Sequence, residues 1–271
     1  MSRWPDGRLC LRKRLRGGRK GVHVRSSGVG VSRAGASALF RYRKLAAEHR
    51  WERRAVRGVL ACSAGVVAAG VSVWWAGPAV ALLVFLGHAV FMRIRPGPTT
   101  NWRRGARAER RTGRRLARLD PAGYHVLHDR ALPGSSANLD HLVIGLTGVY
   151  AVASRRFRWG ALLRVEDSRL RAGTRSVDDV MRAAKGAASA VAELLAGELD
   201  GKVQVQPVVV VHGARVRRDG FRQSGVFFCR ARAVPRALAG RPVILTSAQV
   251  TTIAAAAERL LRPMMEMLIV E

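Results

Sequence analysis

Acidic side chains are scarce in this chain of 271 residues: 18 Asp and Glu stand against 48 Lys and Arg, for a formal net charge of +30 and a pI near 11.9. Lysine is scarce as well. Only Lys13, Lys20, Lys44, Lys185 and Lys202 occur, so 43 of the basic residues are arginine. A GC-rich genome would write the same bias, together with abundant Ala, Gly and Val, so charge alone does not identify a polyanionic partner. The three cysteines, Cys10, Cys62 and Cys229, lie far apart without a CxxC pair. That argues against a disulfide framework or a zinc knuckle and fits a reducing compartment. No Walker A motif, dinucleotide-binding glycine fingerprint or GxSxG elbow is present, which leaves kinase, dehydrogenase and hydrolase readings without support. Aromatics make up only 6% of the chain, yet hydrophobics at 48% are too many for a wholly disordered polypeptide. The length suits one or two modest folded units.

What is present is unevenly placed. Residues 1–57 carry 17 basic and 3 acidic side chains, residues 58–92 carry neither sign, and residues 101–271 carry 29 against 15. The uncharged run of 35 residues is too long for one upright membrane span of roughly 20 residues and just long enough for two short ones. Trp74, Trp75, Gly77 and Pro78 fall at its centre, where aromatics suit the headgroup level and Gly-Pro suits a reversal. Arginines flank both ends: Arg50, Arg53, Arg54 and Arg57 before, Arg93, Arg95, Arg103 and Arg104 after. A hairpin keeps both basic flanks on the cytoplasmic side, as the positive-inside rule favours. The expectation is a transmembrane α-helical hairpin over 58–94, multi-pass in the cell inner (plasma) membrane, with both termini cytoplasmic. Ala61, Gly65 and Ala69, spaced by four, offer a small-residue face for close helix contact. A buried soluble hairpin would need a polar face, and none is visible. His88 reads as a neutral histidine near the interface.

Residues 1–38, rich in Arg, Gly and Ser without apolar periodicity, read as a disordered basic tail. Residues 39–57 can form a basic amphipathic juxtamembrane helix with Leu45 and Trp51 toward the interface, and anionic lipid is a sufficient partner for it. Nucleic acid is the other partner such a segment suits.

A linker at 95–101 precedes a folded domain over 102–271. Asn101 can cap a helix over 102–119. Strand-like runs follow at 124–128, 139–144, 149–154 and 161–165, then a long Ala-rich helix over 177–199 and an almost wholly apolar strand over 203–211. Strands at 226–230 and 242–245 lead to a helix capped by Ser247 and running to about 267. The fold class is therefore α/β, an αβββαβ-type mixed-sheet sandwich.

Within residues 101–160 recur a Gly105-Ala106-x-x-Glu109 helix start, Leu116, an Asn138-x-Asp140-His141 strand, a Gly145-x-x-Gly148 turn, Val149, Tyr150 and Gly160. This pattern resembles the nuclease-related domain (NERD) family, tightly over about 60 residues and loosely to about residue 240. The resemblance implies a fold similar to the PD-(D/E)xK endonucleases and is compatible with membrane attachment. It also implies metal-assisted phosphodiester cleavage, in which carboxylates hold Mg²⁺ beside an attacking water. By that likeness Glu109 and Asp140 are the metal ligands and, with Arg155, the catalytic candidates. Where the family strand reads acid-x-Lys, however, this chain has Ala153, Ser154 and Arg155. The strand carboxylate is missing, and arginine keeps the charge without the ability to act as a base. The implied site is degenerate, and Glu166 or Asp167 are the carboxylates nearest in sequence that could replace the missing one.

Plainer roles stand beside these. Glu109 can be a helix-surface residue among arginines, and Asp140 can anchor a loop through backbone hydrogen bonds. Gly145 and Gly148 suit backbone turns. His125, His128 and His141 are poor zinc candidates, because strand positions 125 and 128 face opposite sides. Arg155, Arg156, Arg158 and Trp159 form a basic stretch with an aromatic that suits phosphate contact and base stacking, or simply a solvated tip. The two functions in play are a membrane-anchored nucleic-acid-binding domain with a degenerate endonuclease site, and a non-catalytic membrane-associated protein-interaction module whose arginines bind lipid.

Overall fold

Three helices lead the computed structural model, which describes residues 33–94, 97–134, 138–166, 169–199 and 201–270. The tail over residues 1–32 and Asp167 lie outside the described residues. Helix α1 (Ala36–Glu48) begins within the range assigned to the tail, and His49 separates it from α2 (Arg50–Val71). The juxtamembrane helix expected over 39–57 is therefore split, and its second half runs without a break into the apolar run. A turn through Trp74 and Trp75 reverses the chain into α3 (Ala76–Ile94), which packs back on α2. Their contact is backbone to backbone: a Cβ on Gly65 would lie 2.9 Å from the Gly77 carbonyl oxygen, and one on Gly77 would lie 2.9 Å from that of Gly65 and 3.0 Å from Ala69 Cβ. Ala61 and Gly65 are buried in this contact, while Val66, Val71, Leu83 and Leu86 project outward. By length and composition α2 is able to cross a membrane; the apolar stretch of α3, Ala76–Met92, is shorter.

Helix α4 (Pro98–Leu116) starts earlier than Asn101, because Pro98 is already set for the first helical position and Gly97 serves as N-cap. A short 3-10 turn follows, and then β1 (His125–Ala131), β2 (Asn138–Gly145) and β3 (Gly148–Arg156). A small sheet of β4 (Leu163–Glu166), β5 (Arg169–Ala172) and β6 (Arg175–Ser176) comes before α5 (Asp178–Leu199). The chain continues through β7 (Val205–His212), β8 (Phe221–Gln223) and β9 (Val226–Arg230), then α6 (Val234–Ala239), α7 (Ser247–Leu260) and α8 (Met264–Val270). The main sheet has six strands in the order β1-β2-β3-β7-β9-β8, parallel only at β3–β7 and β7–β9. The mixed α/β architecture expected from the sequence is the observed one.

Alternation along the strands divides the core into two faces. Leu142, Ile144, Val149 and Ala151 pack with Val191 and Leu195 of α5 and with Ile253 and Ala257 of α7. The intervening residues Val143, Tyr150, Val152, Val208 and Val210 pack with Leu116 of α4 and Leu238 of α6. Gly145 is a packing requirement rather than a ligand contact, since a Cβ there would sit 2.0 Å from the Tyr124 ring. Gly148 takes φ +124° in the turn.

Three expectations fail at the C-terminal end. Residues 242–245 are not a strand: the amides of Ile244 and Leu245 both donate to the Leu146 carbonyl, at 2.9 and 3.0 Å, and Val243 is exposed. The last helix is capped by Thr246 in a reciprocal box with Gln249 rather than by Ser247. It stops at Leu260, ahead of Pro263, which cannot continue a helix.

Candidate functional site

Asp140 enters the fold on β2, which the register His141↔Val152 places so that Ala153 of β3 lies across from it. Antiparallel partners share a face, so the residue opposite Asp140 offers only a methyl group. The Asp140 carboxylate instead accepts the Ser154 backbone N–H at 2.6 Å and the Arg155 guanidinium at 3.4 Å. It is buried while Arg155 is partly open to solvent. Burial pushes its pKa up, and Arg155 and the Ser154 amide oppose this without cancelling it.

Glu109 approaches from α4. It is 7% exposed, its Oε2 has no hydrogen-bond partner, and its pKa is pushed up to about 9, first by burial and then by Asp140 and Asp129. A carboxyl in this setting is held protonated at neutral pH.

Asp129 is the third member, and the sequence did not single it out. The pairs His128↔His141 and Arg130↔Leu139 put it opposite Asp140, at φ +51°. Its carboxylate is fully engaged: Oδ2 accepts the Ser37 backbone N–H at 2.6 Å, and Oδ1 accepts the Ser37 hydroxyl at 2.5 Å and Asn138 Nδ2 at 3.3 Å. The available signal was period-two alternation, which puts residue 129 on the face of Leu127. Its partner Ser37, 92 residues away, left no mark in the sequence.

These carboxylates do not fit a divalent cation as they stand. Asp140 is committed to Arg155 and a backbone amide, Asp129 to Ser37, and Glu109 is in an environment that favours its neutral form. Among the described residues no three Asp, Glu, His or Cys side chains are arranged to hold a metal ion. Glu166 is not a substitute, because it pairs with Arg164 and Arg171 on the small sheet.

The opposite face of the same strand ends differs in chemistry. His128 and His141 meet through their Nδ1 atoms at 2.8 Å, and Ser154 Oγ donates to Thr112 Oγ1 at 2.8 Å, which in turn meets His212 Nε2 at 2.9 Å. His125 takes no part, as alternation requires. The pKa of His141 is held well below that of a free imidazole by burial, then by His128 and His212. His212 is lowered to about 4 by burial, then by Arg111 and Arg156. Both rings are neutral at physiological pH. Around this polar chain Arg104, Arg107 and Arg111, on one face of α4, gather beside Arg156, whose own proton affinity they lower after burial has done so. Among the described residues no carboxylate forms a salt bridge with any of these four. The run Arg155–Trp159 is thus divided: Arg155 serves Asp140, Arg156 joins the arginines of α4, and Arg158 and Trp159 lie exposed in the following loop. Arg107 and Arg111 were not among the residues singled out from sequence, although their helical spacing was visible.

The site is that of a mixed α/β domain with buried carboxylates at the ends of β1 and β2 and, among the described residues, a row of arginines without carboxylate partners across the sheet. The model of the nuclease-related domain family, NERD, matches residues 104–212, from the first arginine of that row to the histidine at the end of β7. No curated protein and no solved structure matches the chain.

Proposed function

We propose that this protein is a membrane-anchored, cytoplasmic nuclease-related domain that binds nucleic acid through the arginine face of α4 and β3. The observation that carries this reading is the grouping of Arg104, Arg107, Arg111 and Arg156, without acidic partners among the described residues, inside the segment that matches the nuclease-related family. Four guanidiniums on one exposed face suit a polyphosphate backbone, which binds by charge and bidentate hydrogen bonds with little regard to sequence. The absent strand acid at Ala153 and the committed Asp140 support binding without cleavage, on a scaffold resembling the PD-(D/E)xK endonucleases. The apolar outer surface of α2 and α3 supports a membrane-embedded hairpin, with the basic flanks holding both soluble parts in the cytoplasm.

The test uses the full chain in detergent micelles with fluorescent single- and double-stranded DNA and RNA. Affinity should fall with salt at a slope of roughly −0.7 to −0.9 per phosphate contact. Arg107→Ala combined with Arg156→Ala should flatten that slope. Absence of salt-dependent binding to any nucleic acid, with binding to anionic vesicles instead, would favour a lipid- or protein-docking module. Reporters fused at Arg50 and after Glu271 should both read cytoplasmic, and opposite sides would refute the hairpin.

A further inference from the structure

We infer that the carboxylate cluster of this chain is the seat of the first turn of α1, not of a divalent cation. A helix begins with unsatisfied backbone N–H groups and the positive end of its dipole. At α1 the residue in the capping position is Gly35, which offers no side chain to satisfy them. Asp129 does so from 92 residues away, accepting both the amide and the hydroxyl of Ser37. The fit continues on both sides. A Cβ on Gly35 would lie 2.8 Å from the Ala106 carbonyl and 3.2 Å from Glu109 Oε2, and one on Gly113 would lie 2.7 Å from Ala34 Cβ. Only small residues allow this approach, and Ser37 and Ala38 are 2% and 3% exposed. Further along, the Arg41 guanidinium stacks over Trp102 of α4 at 5.2 Å. The turn over residues 34–38 therefore covers the cluster from α4 to β1.

The three carboxylates explain why the turn sits there. Asp129, Asp140 and Glu109 gather at one place in an otherwise basic molecule, and a helix N-terminus brings partial positive charge to such a cluster without an added ion. A cation bound by Asp129 would have to displace Ser37, whose amide and hydroxyl already meet both of its carboxylate oxygens. The contact with α1 and a metal site built on Asp129 use the same oxygens and exclude each other, whatever the domain binds on its arginine face. The contact also joins the helix that enters α2 directly to the sheet of the domain.

Ser37→Asp tests this, because it sets a negative charge against Asp129 while remaining favourable in the first turn of a helix. In hydrogen exchange on the full chain in micelles, the amides of α1 should exchange at least about tenfold faster than in the wild type while those of β7 keep their protection. Unchanged protection of α1 would overturn the inference. If the Ser37→Asp chain fails to fold, Ser37→Ala removes only the hydroxyl, and α1 should still exchange faster, by a smaller factor; no change there overturns the inference equally. Electron paramagnetic resonance with Mn²⁺ supplies a second readout. Wild-type protein should leave Mn²⁺ free, or bind it only as α1 exchange accelerates. Mn²⁺ held while α1 stays protected would sink the proposal.

Discussion

Arg155 and Arg156 are neighbours in sequence, yet they belong to two different environments. Arg155 faces the carboxylate side, where its charge is spent on Asp140 and the first turn of α1 closes the site. Arg156 faces the α4 side, where three further arginines and two neutral histidines leave a strongly positive, open surface. One pleat separates an acidic, occupied site from a basic, available one. The difference teaches that a run of charge along a strand says nothing about a shared target, because alternation sends successive residues to opposite faces.

The largest expected effect would break the basic side alone. Replacing Arg107, Arg111 and Arg156 together with Ala should lower nucleic-acid affinity about a hundredfold or more at physiological salt and reduce the magnitude of the salt slope by roughly 2 to 3. Arg155→Ala should leave both nearly unchanged. A fluorescence titration at several salt concentrations decides it, and equal losses from Arg155 and Arg156 would erase the contrast.

Next in size is the acidic side. Asp140→Ala removes the acceptor of a buried amide and the partner of Arg155, and should cost about 2 to 3 kcal/mol in chemical denaturation. It should leave nucleic-acid affinity intact.

Glu109 gives a pH-dependent test with a definite sign. Its folded pKa of about 9 lies above the ordinary 4.5, so the fold favours the protonated carboxyl. Stability from this group is complete below about pH 4.5 and is lost as pH rises toward 9. Glu109→Gln, which cannot ionise, should be more stable to chemical denaturation than the wild type at pH 8, by roughly 1 to 3 kcal/mol, and match it near pH 4.5. A constant offset across that range would mean that Glu109 is ionised in the fold.

The smallest effect belongs to Trp159, which is 84% exposed. Trp159→Ala should leave the melting temperature unchanged and cost about 1 kcal/mol of single-strand affinity if the indole stacks on a base. An unchanged affinity would place that loop outside the binding face.

Much of this was legible in the residues. The short apolar runs at Leu142–Ile144 and Val149–Val152 read directly as strands, and the apolar Val208–Val211 reads as a buried strand. The uncharged run with its small-residue stripe reads as paired helices, since helix contact depends on local spacing. Glu109 and Asp140 were legible through motif spacing. Asp129 was not, because its role depends on Ser37. The three-stranded side sheet and the break at Pro263 were missed because short strands carry too few residues to establish a period, and helical periodicity on either side of a proline obscures the interruption.

The sequence by itself determined the layout of charge, the apolar hairpin, the apolar strands and the plain methyl group of Ala153, all of which depend on residues within a turn or two of one another. Tertiary structure alone decided the rest. Only folding sets Asp129 opposite Asp140, brings Ser37 across 92 residues to occupy it, and gathers Arg156 with the arginines of α4. Electrostatics and burial act through space, so whether a carboxylate meets a cation, an arginine or a helix end is settled by which surfaces the fold presses together.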